Sequence, residues 1–293
     1  MPISVLRRAQ FFRAGGARVM MRREPRQIPL PQHRHEFLEV VIILSGTGVH
    51  TTGAVRHALQ AGDVLVISKR RPHGFERTQG LNLVNIVIRE DTLPRLARDL
   101  RQLPGYHALF ALEALHWRQK NFASRLRLSA SELAQVGEWA DRLESETKDL
   151  GRGGAVLAEA YLVLILGLIA RRYDRPSRSA TPAGDRMGRL LSWIEAHLHE
   201  ALPVARLAKQ AGMSERSFYR KFISSTGLSP LAYLLRQRIS LARELLLADS
   251  SARIGEVATA CGFEDSNYFS RVFHVHAGVT PRGFALRQGG ARG

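Results

Sequence analysis

Three histidines and one glutamate in the N-terminal third of the chain have the side chains of a ligand site. His33, His35 and Glu39 lie close together, and His73 follows later. If residues 33, 35 and 39 share one β-strand, they point to the same side of it. Imidazole and carboxylate groups bind Zn, Fe, Mn or Ni, and they also hydrogen-bond to an organic ligand. The set therefore predicts a metal site, a small-molecule site, or histidines that are hydrogen-bonded within the fold.

A second set of polar residues belongs to an internal repeat near the C-terminus. The segment that begins at Val204 recurs at Ile254, with the same apolar positions and a glycine at Gly212 and Gly262. Each copy then continues with a phenylalanine pair and a Gly-x-x-Pro sequence, which are Phe218, Phe222, Gly227 and Pro230 in the first copy and Phe269, Phe273, Gly278 and Pro281 in the second. Each copy predicts a helix, a glycine turn and a second helix, which is a helix–turn–helix unit.

The second helix of each unit carries side chains suited to DNA. Arginine matches the guanine edge in the major groove, and asparagine matches the adenine edge. The segment Ser229–Ala248 between the units predicts a helix of about 30 Å, close to the ~34 Å of one DNA turn. The two second helices are thus predicted to enter successive major grooves, although a plain helical bundle is the alternative. The predicted DNA-binding residues are Arg216, Ser217, Arg220, Lys221, Asp265, Asn267, Ser270 and Arg271.

Hydrophobic patterning predicts the elements that position both sets. Short Val- and Ile-rich runs separated by turn signals, over residues ~28–90, predict an antiparallel β-barrel or sandwich, with turns at 45–48, 52–53 and 61–63. Helical periodicity follows over 93–103, 129–149 and 155–173, with a capping box at Ser129 and Glu132. The third of these helices is apolar almost all round, which favours a homodimer interface over a core helix.

The chain is accordingly expected to be an α+β multidomain protein. Residues 1–92 form the effector-binding barrel, 93–174 a helical segment that dimerises, 175–188 a Pro- and Ser-rich linker, and 189–293 an all-α DNA-binding domain with two helix–turn–helix motifs.

Composition sets limits on the function. The chain has 293 residues, a formal net charge of +17 and 45% hydrophobic residues, which excludes an intrinsically disordered protein and agrees with a polyanionic partner. One cysteine, Cys261, excludes a disulfide framework. No apolar run reaches the ~20 residues of a membrane span, so a cytoplasmic protein is expected. A P-loop, a Rossmann fingerprint and a nucleophile elbow are all missing, and we expect no enzyme.

The C-terminal repeat resembles the DNA-binding domain of the AraC family of transcription regulators. The resemblance is carried by Ile254–Pro281, above all by its Cys-Gly-Phe, Tyr-Phe-Ser and Gly-x-x-Pro sequences. It implies that Arg216, Arg220, Asp265 and Asn267 contact bases and that Arg271 contacts the DNA backbone. It also implies double-stranded promoter DNA and RNA polymerase as partners, and a function in activation.

The N-terminal histidines resemble the first motif of cupin barrels, and His73 stands in the second. Two motif positions depart from the cupin pattern, because Gln27 replaces a glycine and Arg77 an asparagine. In AraC-type regulators such barrels hold a small effector. Additional segments, including residues 10–12 and 116–118, resemble the rhamnose operon regulators and imply a sugar or related polyol or acid, with Trp117 a candidate to stack on a sugar ring.

Three functions remain open from the sequence. The favoured one is an effector-controlled transcription regulator in which His33, His35, Glu39 and His73 hold the effector and no cofactor is required. The alternatives are a metal-dependent cupin enzyme fused to a DNA-binding module, using the same four residues as ligands, and an architectural DNA-binding protein whose barrel has no ligand.

Overall fold

Seven β-strands pair into one sheet around two long central strands. The strands of the computed structural model are β1 (Ser4–Leu6), β2 (Val19–Glu24), β3 (Leu30–His35), β4 (Leu38–Thr52), β5 (Val55–Leu59), β6 (Val64–Ile67) and β7 (His73–Ile88). Their order is β1-β3-β7-β4-β5, with β2 also paired to β7 and β6 to β4. All pairs are antiparallel except β1 with β3. The structure describes residues 3–12, 17–69, 71–89, 92–96, 100–107, 109–110, 126–148, 153–173 and 182–289.

Helices make up most of the remaining described chain. They are α1 (Arg8–Phe11), α2 (Leu93–Leu96), α3 (Pro104–His107), α4 (Ala130–Lys148), α5 (Gly154–Tyr173), α6 (Pro182–Ala196), α7 (Val204–Gln210), α8 (Glu215–Thr226), α9 (Pro230–Ala248), α10 (Ile254–Ala260), α11 (Ser266–Ala277) and α12 (Pro281–Gly289), with a 3-10 turn at Leu100–Gln102. The chain divides into two units, Met1–Gly188 and Arg189–Gly293.

The sheet of the first unit is buried on both faces. Even-numbered residues of the central strands, such as Val40 and Ile42 on β4, pack with α4 and α5 in one apolar core. Odd-numbered residues, such as Val41 and Ile43, form a second apolar cluster with Phe75 on β7. This alternation follows from the two-residue period of a strand, and it places Glu39 on the same side of β4 as the second cluster.

Strand β4 departs from the predicted pattern at residues 45–48. The sequence Ser-Gly-Thr-Gly predicted a turn there, but β4 continues through it and its register with β7 shifts between Ile43 and Val49. Gly46 takes a φ of +79°, a left-handed conformation that suits a β-bulge. The bulges absorb the irregularity, so one long strand replaces two shorter ones.

The helices of the first unit largely follow the predicted periodicity. Helix α4 begins with the predicted capping box, in which the Ser129 backbone N–H donates to Glu132 Oε2 at 2.8 Å and the Glu132 N–H donates to Ser129 Oγ at 3.3 Å. Within the segment predicted as one helix over 93–103, the described residues form α2 and the 3-10 turn. The residues predicted as a linker also end in a helix, because α6 begins at Pro182; proline is favoured in the first helical turn, where its missing N–H costs nothing.

Helix α5 is the most apolar of the helices that the structure describes. Leu162, Ile165 and Ile169 are fully buried in the core shared with α4. Its mean hydropathy is 1.9, and it is the one helix in the described ranges that is long and apolar enough to cross a membrane. The buried side identifies a helix with a packing role in the first unit, while Val156, Leu157 and Leu164 remain exposed on another side.

The second unit contains the predicted helix–turn–helix repeat. Helices α7 and α8 form the first copy, α10 and α11 the second, and the 19-residue α9 lies between them in sequence. Gly212 and Gly262 occupy the two turns with φ of +64° and +79°. Ser229 caps α9, with its Oγ accepting from the Ala232 N–H at 3.2 Å, and Pro230 lies in the first turn. The two helix–turn–helix units, their glycine turns and the helix between them were predicted from the sequence, whereas the Ser229 cap was not.

Candidate functional site

Three strands bring the predicted histidines and glutamate together. His33 and His35 lie on β3, Glu39 on β4 and His73 on β7, and all four side chains are buried. His33 and His73 are direct partners across the β3–β7 pair. The prediction that residues 33, 35 and 39 share one strand is wrong, because the chain bends at Glu36 and Phe37 before β4 begins. Glu39 reaches the histidines because β3 and β4 both flank β7 in the sheet.

One carboxylate oxygen lies between two imidazoles. Glu39 Oε2 is 3.1 Å from His35 Nε2 and 3.1 Å from His73 Nε2. None of these three atoms has a partner with hydrogen-bond geometry, although all are buried. Burial alone raises the pKa of Glu39, but the adjacent His73 and His35 outweigh burial and hold that pKa well below its usual value. Glu39 is therefore a buried anion.

The tautomer of His35 follows from its other ring nitrogen. His35 Nδ1 lies 2.8 Å from the Phe37 carbonyl oxygen, which only accepts, so Nδ1 carries the proton and donates it. In the neutral ring Nε2 then presents a lone pair to Glu39 Oε2. Two lone pairs 3.1 Å apart repel unless a proton or another cation lies between them. The repulsion between His35 Nε2 and Glu39 Oε2 is therefore removed only by a proton or another cation between them, or by a ligand that donates hydrogen bonds to these atoms.

The same three side chains lie close enough together to bind one metal ion. A metal site was one of the alternatives left open by the sequence, and the ligand atoms of His35, Glu39 and His73 lie within 4.8 Å of one another. Two imidazoles and one carboxylate suit a divalent transition metal, and a backbone carbonyl that orients a ligating imidazole is common around such ions. His33 does not belong to this group; its Nδ1 lies 3.2 Å from the Pro31 carbonyl oxygen.

His33 and His50 extend the cluster beside His73. The ring centroids of His33 and His73 are 4.3 Å apart, and those of His50 and His73 are 5.7 Å apart. Burial and the neighbouring His73 lower the pKa of both His33 and His50, and the pKa of His50 falls further because His57 also faces it. The sequence analysis did not predict His50 as a site residue. Its only signal was an isolated histidine after two glycines, at residues 46–50.

The first candidate DNA-binding helix, α8, has a side-chain cap at its start, a buried aromatic face and exposed polar faces. Ser214 caps it by accepting from the Ser217 N–H at 3.4 Å, and Gly227 ends it in the left-handed conformation. Phe218 and Phe222 are fully buried, with ring centroids 5.3 Å apart. The predicted DNA-binding side chains lie on other faces, with Arg216, Ser217 and Arg220 exposed and Lys221 half-buried.

The second candidate helix, α11, has the same construction with a different cap. Asp265 Oδ1 accepts from the backbone N–H groups of Asn267 at 2.7 Å and Tyr268 at 3.2 Å. Asp265 therefore has a structural role that the sequence analysis did not predict. Ser270 is half-buried and its hydroxyl donates to the Ser266 carbonyl at 2.9 Å. Asn267 and Arg271 are the predicted side chains that are exposed and not engaged within the helix in the described structure.

The structure does not describe the remaining candidate that the sequence predicted. Trp117, proposed to stack on a sugar ring, lies outside the described residues, as do His116 and Arg118.

Family models match both halves of this arrangement. Residues 207–287 match the model described as a helix-turn-helix domain, and residues 19–88 match the model described as a cupin domain. With the geometry above, they define a class of protein in which a cupin domain is joined to a helix–turn–helix DNA-binding domain.

Curated relatives identify the family within that class. The chain is 32% identical to the HTH-type transcriptional activator RhaS of Escherichia fergusonii, over 91% of each chain, and 30% identical to RhaS of Klebsiella pneumoniae, over 98% of each chain. The protein therefore belongs to the AraC-type family of transcription regulators, and it is similar to the RhaS activators.

Solved structures resemble the chain more loosely. The DNA-binding domain of AdpA, in complex with a target DNA, is 34% identical; the match covers 39% of this chain and 97% of that one, with a TM-score of 0.35. ToxT from Vibrio cholerae is 13% identical, covers 92% of this chain and 97% of that one, and has a TM-score of 0.36. At these scores the family assignment depends on the sequence relatives.

Proposed function

We propose that this protein is a cytoplasmic transcription activator that binds promoter DNA through α8 and α11 and is controlled by a small molecule in the barrel. The observation that carries the proposal is the presence in one chain of two capped, equivalent helix–turn–helix units and a buried His–Glu cluster. The relatives named as transcriptional activators support the direction of control. Activation further requires that the DNA-bound protein contacts RNA polymerase.

The DNA contacts are assigned to the exposed side chains of the two helices. Arg216 and Arg220 on α8, and Asn267 and Arg271 on α11, are exposed. Paired hydrogen bonds from arginine to guanine and from asparagine to adenine discriminate by about 1–3 kcal/mol each. Replacing Arg216 or Asn267 by alanine is expected to relax specificity at one base position each.

The charge of the barrel site favours a neutral polyol over a sugar acid. Glu39 is a buried anion, and the other buried carboxylate of the strand region, Asp63, is paired with Arg127 at 2.9 Å. Among the described residues of the strands no lysine or arginine is buried. A carboxylate effector would thus add a second negative charge beside Glu39 with no buried lysine or arginine to offset it, whereas a sugar hydroxyl can donate to Glu39 and accept from an imidazole N–H.

We assign the homodimer interface to the exposed side of α5. Val156, Leu157 and Leu164 are 70%, 47% and 45% exposed, although the opposite side of the helix is fully buried. Leu157 and Leu164 are seven residues apart and therefore share a face. A second copy of the helix, packed face to face, would remove this apolar surface from water.

A metal-holding barrel is the second candidate, favoured by the three buried atoms that lack hydrogen-bond partners. His35, Glu39 and His73 would hold a divalent transition metal, which would supply a Lewis-acidic position for an effector oxygen. Such a metal does not require an enzyme, and the relatives of this chain are transcription regulators.

A thermal-shift screen with metal analysis tests these assignments. The purified protein is heated with neutral sugars, polyols and sugar acids, and bound metal is quantified in the same sample. A neutral effector at 100 times its Kd is expected to stabilise the folded protein by about 2.7 kcal/mol. Stabilisation by sugar acids alone would contradict the charge argument, and stoichiometric metal without any polyol hit would favour the metal-holding barrel.

A further inference from the structure

The two helix–turn–helix units are built on the same local geometry. Helices α8 and α11 both have 12 residues, and each begins at a side-chain cap. Each ends at a left-handed glycine, Gly227 with φ 73° and ψ 1° and Gly278 with φ 72° and ψ 1°. Because caps, helix lengths and buried phenylalanine pairs correspond, residues 51 positions apart occupy equivalent places in α8 and α11.

The two units nevertheless differ strongly in charge. Residues 204–227 contain five lysines and arginines and one glutamate, a net charge of +4. Residues 254–278 contain one arginine and three carboxylates, a net charge of −2 with histidines neutral. The three carboxylates, Glu256, Glu264 and Asp265, are all exposed. The second unit therefore offers less positive charge to the phosphate backbone than the first unit does.

Equivalent positions show where the chemistry changes. Arg216 corresponds to Asn267, so the same place carries a guanine-reading group in the first unit and an adenine-reading group in the second. Lys221 corresponds to Val272, and both are half-buried. Only the pair Arg220 and Arg271 keeps its charge.

We infer that the two units divide DNA recognition unequally, an inference that rests on the proposed DNA-binding function. The first unit holds the duplex through phosphate contacts and supplies most of the salt-dependent affinity. The second unit adds little electrostatic affinity and engages the adjacent groove only where the bases match. The operator is thus bipartite, with a guanine-bearing half that stays bound at higher salt and an adenine-bearing half that is released first.

An exchange of equivalent residues in the full-length protein tests this division. Duplexes selected from a randomised library by the unmodified protein supply the DNA probe. Hydroxyl-radical footprints are then recorded at increasing KCl, and selections are repeated with Arg216→Asn, Asn267→Arg, Lys221→Val and Val272→Lys. Each variant places in one unit the residue that the other already accommodates at the same position, and circular dichroism confirms folding.

The expected results differ between the units. Arg216→Asn changes the selected base from guanine to adenine in one half-site only, and Asn267→Arg makes the reverse change in the other. Lys221→Val makes the slope of log K against log salt less negative by about 0.9, the value of one phosphate contact. Val272→Lys makes the slope more negative by about the same amount. The second half-site loses protection at a lower KCl concentration than the first. Val272→Lys makes the difference between these two KCl concentrations smaller.

Two results would overturn the inference in distinguishable ways. If both half-sites lose protection at the same salt concentration, or if Lys221→Val leaves the slope unchanged, the unequal division is wrong and DNA binding itself stands. If the unmodified protein selects no motif at any salt concentration, the proposed DNA-binding function fails and the inference fails with it.

Discussion

Two equivalent glycines should respond very differently to alanine. Gly212 and Gly262 occupy the same turn in the two helix–turn–helix units, with φ of +64° and +79°. A Cβ at residue 212 would meet no atom within 4 Å. A Cβ at residue 262 would overlap the Leu198 carbonyl oxygen and lie 2.7 Å from Arg238 Nη2. Alanine therefore strains the backbone at both positions, but only at residue 262 does its Cβ also clash with neighbouring atoms.

The structure gives the size of the difference. Forcing a residue with a side chain into the left-handed region costs about 1–2 kcal/mol, which both variants lose. Gly262→Ala must also displace Arg238, whose Nε donates to the Leu198 carbonyl at 3.0 Å and whose Nη2 donates to the Glu200 carbonyl at 2.6 Å. Hydrogen bonds from a charged donor contribute about 1.5–3 kcal/mol each. The expected loss is therefore about 1–2 kcal/mol for Gly212→Ala and about 4 kcal/mol or more for Gly262→Ala.

Hydrogen exchange followed by mass spectrometry separates the two effects within the full-length protein. Gly212→Ala should lower the free energy of opening in α7 and α8 alone. Gly262→Ala should lower it in α10 and α11 and also at residues 198–200, to which Arg238 connects them. Equal losses in the two variants, or unchanged exchange at residues 198–200 in Gly262→Ala, would refute the reasoning.

Three further predictions concern the first unit. Glu39→Gln should abolish both the polyol-dependent thermal shift and any bound metal, and retention of both would exclude Glu39 from the site. Burial lowers the pKa of His107 to about 4. Because the unfolded chain takes up the proton near the ordinary value of 6.5, stability should be full above pH 6.5 and fall by about 3 kcal/mol towards pH 4. His107→Gln should remove that part of the pH dependence in urea titrations, and an unchanged profile would contradict it. Leu164→Glu should convert a dimer to a monomer in sedimentation experiments, whereas Arg142→Glu, at an exposed polar position of the neighbouring helix α4, should not.

The helical half of the protein was predictable because its signals are local. A side-chain cap, a glycine with positive φ and a phenylalanine pair each act over fewer than five residues, and both copies of the repeat contain all three. The confirmed capping box at Ser129 and Glu132 has the same local origin. The capping role of Asp265 was missed for a related reason. Its carboxylate suits both a base edge and a helix cap, and only the structure shows that the backbone N–H groups of Asn267 and Tyr268 engage it.

The geometry of the barrel site was less predictable because it is set by strand pairing. Residues 33, 35 and 39 converge, but Glu39 does so from a different strand, and no sequence period records the bend at residues 36–37. His50 enters the cluster only because β4 continues through the bulges at 43–49 to run beside β7. A pattern that predicts a turn at Ser45–Gly48 necessarily separates His50 from His73. Long-range pairing therefore decides which side chains complete the site.

The arrangement around Glu39 links the two candidate functions of the barrel. The Phe37 carbonyl fixes the His35 proton on Nδ1, so Nε2 faces a carboxylate oxygen across 3.1 Å with a lone pair. This repulsion is relieved in three ways: by a proton on the imidazole, by a metal ion, or by a ligand hydroxyl that donates to the cluster. Each satisfies the same buried anion, so an effector hydroxyl that donates directly to Glu39 should compete with protons and with metal ions, whereas an effector held through a bound metal would not. Such competition provides a physical route by which effector binding changes the barrel, since the ligand must have unequal affinity for the two states that it connects.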